Sequence, residues 1–186
     1  YTVGSWMQLS NSSIAEILGD AGYDWVALDL EHGQFNNESL PDIFRALELN
    51  NTVPLARIAE NKEKDCKQAL EAGAAGLIIP MINSAKDIKE AINFSCWPPK
   101  GKRGVGFSRA NLFGKYFKDY KKLAQKPFII AMIENIEGVN NLEEILSTKG
   151  LDGILIGPYD LSASINKTGK LKDKQVKNLV NKIITM

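Results

Sequence analysis

Three segments of the chain share one pattern, in which a helical stretch ends on glycine and a short, almost wholly apolar run follows. Glycine at the end of a helix supplies the left-handed turn that leads into a strand. The runs do not alternate between apolar and polar residues, so they match strands that are covered on both faces. The three segments are GYDWVALD (22–29), GAAGLIIP (73–80) and GLDGILIG (150–157). The pattern predicts an α/β protein with a parallel sheet.

Six apolar runs alternate with segments of helical periodicity along the chain. The runs, which predict β-strands, cover residues 2–7, 25–30, 53–58, 76–82, 128–133 and 153–156. A first helix is predicted to start with a capping box at Ser13 to Glu16, and others are predicted near 37–49, 62–72, 84–94, 139–147 and 173–185. The less regular segment 100–126 contains GKRGVG (101–106), which lacks the spacing of a phosphate-binding P-loop. We expect it to be a mobile loop over the carboxyl ends of the strands.

The spacing of these units favours a (β/α)₈ barrel. Six βα units in 186 residues average about 31 residues each, and a full barrel needs roughly 250 residues. A doubly wound open sheet is the alternative, but no glycine-rich phosphate turn follows the first predicted strand. We therefore expect residues 1–186 to form a single TIM-barrel domain that lacks the last two βα units.

Charge and cysteine content argue against several functional classes. The chain has 23 basic and 22 acidic side chains, so it has no general attraction to nucleic acid or membrane surfaces. No apolar run is long enough to span a bilayer, and the first residues show no signal-peptide pattern. Cys66 and Cys96 match no disulfide or metal spacing, which favours a reduced, cytoplasmic setting.

The active site of a parallel barrel lies at the carboxyl ends of its strands, an edge that we call the rim. Polar side chains follow four of the six predicted strands at that edge. They are Asp29, Glu31 and His32 after the second strand, Arg57 in the third, Glu134 after the fifth and Asp160 after the sixth. A basic group, a histidine and several carboxylates are thus predicted to converge from distant parts of the sequence.

Glu134 and Asp160 are candidate metal ligands because they follow neighbouring strands, which lie about 4.8 Å apart. Two carboxylates this close repel each other unless a proton or cation lies between them. With no histidine or cysteine beside them, a hard divalent ion such as Mg²⁺ or Mn²⁺ is expected. The alternative is that one of the two caps the helix that follows it.

Arg57 and His32 each allow a functional and a structural interpretation. An arginine at a strand end needs anionic partners, which are either a substrate carboxylate or Asp29 and Glu31. His32 is the only histidine, and its place beside an arginine and two carboxylates favours proton transfer over packing.

The chain resembles the HpcH/HpaI aldolase family of class II pyruvate aldolases. The resemblance rests on motifs that follow one another from residue 4 to about 165. They are GSWMQLSNSSIAEILGDAGYDWVALDLEHG, PLARI, ALEAGAAGLIIPMINSA, PPKGKRGVGFSRA, IENIEGVNNLEEIL and GLDGILIGPYDLSAS. Met132 departs from the family, which often has glutamine two residues before the metal-binding glutamate.

The resemblance implies a (β/α)₈ barrel, usually hexameric, with a divalent metal ion such as Mg²⁺, Mn²⁺ or Co²⁺. By motif, Glu134 and Asp160 match the metal ligands, Arg57 the arginine that binds the pyruvyl oxygens, and His32 the catalytic acid/base. Asp29 and Glu31 match neighbours that orient the histidine, and Glu71 stands where the family often has an aspartate with the same role. Gly157, Pro158 and Tyr159 match the backbone that holds the pyruvate carboxylate.

The implied activity is cleavage or formation of the C3–C4 bond of a 4-hydroxy-2-oxo acid, which gives pyruvate and an aldehyde. The implied partners are these small molecules and other copies of the chain. Two alternatives stay open at this point: a lyase for citryl-CoA or malyl-CoA, and a non-catalytic binding subunit with the same barrel.

Overall fold

A computed structural model describes all residues from 1 to 186, and its centre is a six-stranded parallel sheet. The strands lie side by side in chain order, from β1 at one edge to β6 at the other. Their bounds are β1 Gly4–Met7, β2 Trp25–Asp29, β3 Val53–Arg57, β4 Gly76–Ile79, β5 Phe128–Ile133 and β6 Gly153–Ile156. The α/β class and the parallel sheet are confirmed, whereas the six strands form only part of a barrel and an eight-stranded closure is not confirmed.

Helices follow every strand, and the connections between strands carry the chain from the carboxyl end of one strand back to the amino end of the next. The helices are α1 Ser12–Asp20, α2 Leu40–Glu48, α3 Glu63–Ala72, α4 Ala85–Ser95, α5 Phe117–Leu123, α6 Ile136–Asn140, α7 Leu142–Leu146, α8 Pro158–Ser164 and α9 Lys174–Thr185, with a 3₁₀ turn at Arg109–Asn111. None of these helices combines the length and apolarity that crossing a bilayer requires.

The two faces of the sheet bury different sets of side chains because successive residues of a strand point to opposite sides. The face under the helices contributes to a core of 31 buried residues, which includes Val26 and Leu28 of β2. The other, concave face carries a smaller cluster of Ala27, Leu55, Ile78 and Met132, with Trp6 and Trp25 packed against it. Counting in steps of two along each strand places Asp29, Arg57 and Glu134 on this concave face, at the rim.

Three local predictions were wrong. The first helix is capped not by Ser13 but by Asn11, whose side chain accepts hydrogen bonds from the backbone of Ser13 and Ile14. The predicted helix at 139–147 is two short helices, α6 and α7, which meet at Asn141. The loop at 101–106 leaves the carboxyl end of α4, so it lies at the amino-terminal edge of the sheet and not over the rim.

Candidate active site

The register of the sheet brings Asp29 and Arg57 together. β2 and β3 pair in parallel with Asp29 directly opposite Arg57, and both side chains are buried on the concave face. The Nε and Nη2 atoms of Arg57 donate to the two Asp29 carboxylate oxygens at 2.9 and 2.6 Å. This two-point contact fixes the plane of the guanidinium at the rim.

Asp29 is the centre of the hydrogen-bond network, because six N–H groups converge on its carboxylate. Besides the two from Arg57, they come from the Trp6 indole (3.1 Å), the Gln8 amide (3.0 Å) and the backbone of Glu31 (3.2 Å) and His32 (3.1 Å). Burial by itself raises the pKa of Asp29, but the hydrogen bonds outweigh burial and hold that pKa well below its usual value. Asp29 is therefore a permanent anion that positions Arg57.

Arg57 also meets a second acid and an aromatic ring. Its Nη1 lies 3.1 Å from Glu31 Oε2, an ion pair whose geometry does not complete a hydrogen bond. Its guanidinium carbon lies 5.1 Å from the centre of the Trp6 ring, within the range of a cation–π contact. Nη1 lies 3.9 Å from the Met132 sulfur, a weak acceptor. Nη1 is thus the nitrogen of Arg57 that makes no strong hydrogen bond, whereas Nε and Nη2 both donate to Asp29.

Glu134 follows β5 and is buried at the rim. Its Oε1 accepts a hydrogen bond from the backbone of Met81 at 2.7 Å, and Met81 has a positive φ of 53°. The pKa of Glu134 is raised, first by burial and then by the nearby Glu31 and Asp160 carboxylates, while the bond from Met81 opposes the rise. Glu134 does not cap the next helix, because the side chain of Asn135 does so.

Gly157 allows the close approach of β6 to Glu134. A Cβ atom on Gly157 would lie 2.5 Å from Glu134 Oε2 and 2.6 Å from Glu134 Cβ, so no other residue fits without displacement. Gly157 N donates to the carbonyl of Ile133 at 3.2 Å, and Pro158 has no N–H. Among Gly157, Pro158 and Tyr159, which were predicted to hold the pyruvate carboxylate, only the exposed Tyr159 has a backbone N–H without a hydrogen-bond partner. The backbone N–H of Asp160, the next residue, also has no partner.

Asp160 lies in the first turn of α8, exposed, with no side-chain capping bond there. Its charge contributes to the raised pKa of both Glu31 and Glu134, with burial as the largest cause in each case. These three side chains have the oxygen donors that a hard divalent cation prefers, and a cation between them would remove their mutual repulsion. No three His, Cys, Asp or Glu side chains are already gathered closely enough to hold a metal ion.

His32 lies beside the network, with an exposed side chain. Asp29 accepts only its backbone N–H, so Asp29 fixes the position of this turn and does not hold the imidazole ring. Glu31 is close enough for the charge of His32 to lower the Glu31 pKa, against the larger upward effect of burial. Glu71 is not beside His32 in this chain, because it lies in the last turn of α3, at the end that leads into the start of β4.

Sequence reasoning missed three groups that build the site. Trp6 was not singled out, yet its indole donates to Asp29 and its ring faces Arg57. Gln8 and the backbone of Met81 were not singled out. The signal for Trp6 and Gln8 is their period-two spacing at the end of β1, which puts both on the concave face.

Comparison with known proteins gives consistent matches along the chain. A family model described as HpcH/HpaI aldolase/citrate lyase matches residues 2–186. A hydroxypyruvate/pyruvate aldolase of Roseobacter denitrificans is 34% identical over 183 residues, which cover 97% of this chain and 72% of that protein. A 5-keto-4-deoxy-D-glucarate aldolase of Escherichia coli is 32% identical over 182 residues, which cover 97% of this chain and 71% of that protein.

Solved structures match the fold. The crystal structure of an HpcH/HpaI aldolase/citrate lyase family protein from Burkholderia cenocepacia has a TM-score of 0.93 at 32% identity, over 99% of this chain and 74% of that one. CitE of Mycobacterium tuberculosis, solved in complex with magnesium and acetoacetate, has a TM-score of 0.61 over 99% of this chain and 68% of that one. At 18% identity the second match shows the fold alone.

Proposed function

The chain belongs to the HpcH/HpaI aldolase/citrate lyase family of carbon–carbon lyases, and from this membership we propose that it acts on a 4-hydroxy-2-oxo acid. The reaction is cleavage or formation of the C3–C4 bond, with pyruvate and an aldehyde as the two halves. The observation that carries the proposal is the buried Asp29–Arg57 pair, which holds a cation rigidly at the rim. Such a fixed charge stabilises an anion that develops only during the reaction.

Arg57 would bind the oxygens of the 2-oxo acid. Nε and Nη2 are committed to Asp29, so Nη1 is the donor that can turn to substrate. When the C3–C4 bond breaks, negative charge moves onto the keto oxygen of the pyruvyl half, and Arg57 would stabilise that enolate. The free amides of Tyr159 and Asp160 offer donors for the substrate carboxylate.

His32 would carry the proton. In cleavage it takes the proton of the 4-hydroxyl, and in synthesis it returns that proton to the aldehyde oxygen. Its ring is exposed at the rim, beside the Glu31 carboxylate. Asp29 acts through Arg57 and through the His32 backbone, as a positioning residue.

Glu134 and Asp160 would hold a divalent ion, Mg²⁺, Mn²⁺ or Co²⁺. The support for this is the raised pKa of Glu134, which reflects burial together with the neighbouring carboxylates. When bound, such an ion supplies Lewis-acid polarisation of the keto group. We also propose that the sheet is part of a (β/α)₈ barrel, which the close match to the Burkholderia protein supports. That the protein forms a homo-oligomer is proposed from the family resemblance alone.

The test is release of pyruvate from 4-hydroxy-2-oxo acids, followed with lactate dehydrogenase and NADH. We expect activity that excess EDTA abolishes and that added Mg²⁺ or Mn²⁺ restores. Full activity in EDTA would refute the metal assignment. Absence of pyruvate from every 2-oxo acid supplied, with Mg²⁺ present and the protein folded, would refute the reaction.

A lyase for a CoA thioester is the second candidate, because the matched family includes citrate lyases. The two reactions differ in product, pyruvate in one and acetyl-CoA in the other. Product analysis with citryl-CoA and malyl-CoA as substrates therefore separates them directly.

A further inference from the structure

A cavity of about 480 Å³ lies at the amino-terminal edge of the sheet, away from the rim. Its floor is formed by Ala74 and Ala75, just before β4, and by Pro127 and Phe128, at the start of β5. Its wall comes from segment 100–126, which the proposed aldolase chemistry does not use. The volume is within the range of about 300–1,000 Å³ that is usual for small-molecule sites.

The charged residues around this cavity are mostly basic. Four cations line it, namely Arg45, Arg103, Arg109 and Lys126, against one acid, Glu48. Glu48 pairs with Arg109, and Arg45 pairs with Asp42 outside the cavity. Arg103 and Lys126 have no carboxylate within ion-pair distance.

Among these four cations, Arg103 is the one that indicates a ligand, because the residue is only 1% exposed. Nη2 donates to the Tyr120 hydroxyl at 3.2 Å, while Nε and Nη1 have no hydrogen-bond partner. The rings of Trp97 and Tyr120, at 5.8 and 5.9 Å from the guanidinium carbon, provide only partial compensation. A buried cation with two unused donors lacks an anionic acceptor.

The two buried cysteine thiols near Arg103 do not supply that acceptor. Cys66 and Cys96 are close enough for the charge of Arg103 to act on both thiols. Burial nevertheless raises the pKa of the Cys66 thiol to about 11, and it also raises the pKa of Cys96. Both thiols are therefore neutral at physiological pH, and neither supplies a counter-charge to Arg103.

We propose that this cavity is a second binding site, which takes a small molecule that carries an oxyanion, phosphate or carboxylate, on an apolar body. Arg103, Tyr120 and Lys126 bind the oxyanion. The apolar body packs on the side chains of Leu70, Leu112, Phe113 and Leu123, of which the last three are exposed here. The site is independent of the proposed aldolase reaction, because it opens at the opposite edge of the sheet.

Isothermal titration calorimetry with inorganic phosphate, phenyl phosphate and benzoate tests the proposal. We expect phenyl phosphate to bind more tightly than inorganic phosphate, since only the former has an apolar body, and comparison with benzoate decides between phosphate and carboxylate. Arg103→Gln should weaken binding by about tenfold to hundredfold, the value of a charge-assisted hydrogen bond. The same titration with Arg57→Met excludes binding at the rim, because only rim binding depends on Arg57.

A second pair of variants keeps the test valid if Arg103→Gln does not fold. Lys126→Glu reverses a charge in the cavity, whereas Lys118→Glu makes the same change on the face of α5 opposite Tyr120 and Leu123. We expect weaker binding with Lys126→Glu and unchanged binding with Lys118→Glu. Equal effects of the two variants, or no binding of any of the three probes to the folded wild-type protein, would overturn the proposal.

Discussion

Replacing Asp29 with asparagine tests the network on which the proposed site depends. Each Asp29 oxygen accepts three N–H groups: Oδ1 those of Arg57 Nε, Glu31 and His32, and Oδ2 those of Arg57 Nη2, Trp6 and Gln8. Asparagine has nearly the same shape but only one oxygen. In either orientation of the amide, the oxygen can accept from three of the six N–H groups, and the NH₂ group, which cannot accept, faces the other three.

The expected loss of stability follows from these contacts. Breaking a buried ion pair by removing one partner costs about 3–5 kcal/mol, because the other charge stays buried. Glu31, at 3.1 Å from Arg57 Nη1, compensates in part, so we expect the lower end, about 3 kcal/mol. That is a large share of the roughly 5–15 kcal/mol by which a typical domain is stable.

Urea denaturation at pH 7, followed by circular dichroism, measures this loss. With a typical slope, a loss of this size lowers the midpoint by about 1–3 M. Asp152→Asn is the matched control, because Asp152 is an exposed aspartate that accepts one backbone hydrogen bond, from Ile129, and we expect a change below about 1 kcal/mol. If Asp29→Asn loses no more than this control, Asp29 does not position Arg57 as argued.

Three further predictions concern the rim. His32→Ala should leave the free energy of unfolding within about 0.5 kcal/mol of wild type, since the ring is exposed, yet remove most pyruvate release. Unchanged turnover would refute the proton-transfer role of His32. Gly157→Ala should cost about 1–3 kcal/mol and reduce turnover, because its Cβ would displace Glu134, and a fully active, equally stable variant would contradict that packing. Glu31 and Glu134 have raised pKa values in the folded state, so the folded protein binds their protons more tightly than the unfolded chain does. The resulting stabilisation is complete below the unfolded-state pKa and is lost as pH rises through the folded-state pKa. Metal-free protein should therefore become more stable from pH 7 to pH 5, and Glu134→Gln should flatten that dependence; a wild-type slope of opposite sign would exclude it.

Much of the site was predictable because strand direction and period-two spacing are written in the sequence. An apolar strand that ends in Asp29, Arg57 or Glu134 carries that side chain to the carboxyl end of a parallel sheet. Chain-order pairing of the strands then brings the three to one rim. The same pattern could not exclude the alternative that Glu134 caps a helix, because capping depends on which neighbour reaches the free amides. In the structure that neighbour is Asn135.

The partners of each side chain could not be predicted because they depend on contacts between distant elements. The sequence does not indicate that the side chains of Trp6 and Gln8 both donate hydrogen bonds to Asp29, or that the backbone N–H of Met81 donates one to Glu134. Met81 was predicted to continue a strand, whereas its positive φ turns its amide to the carboxylate.

The sequence by itself therefore determined the fold class, the direction of the strands and which polar groups stand at the rim. Only the tertiary structure decided that Arg57 pairs with Asp29, that Glu71 lies at the far end of α3, and that Arg103 is buried without an anion. The physical reason is that local pattern fixes the face and the end of an element on which a residue lies. Register and packing, which sum many weak contacts over the whole chain, fix what that residue touches.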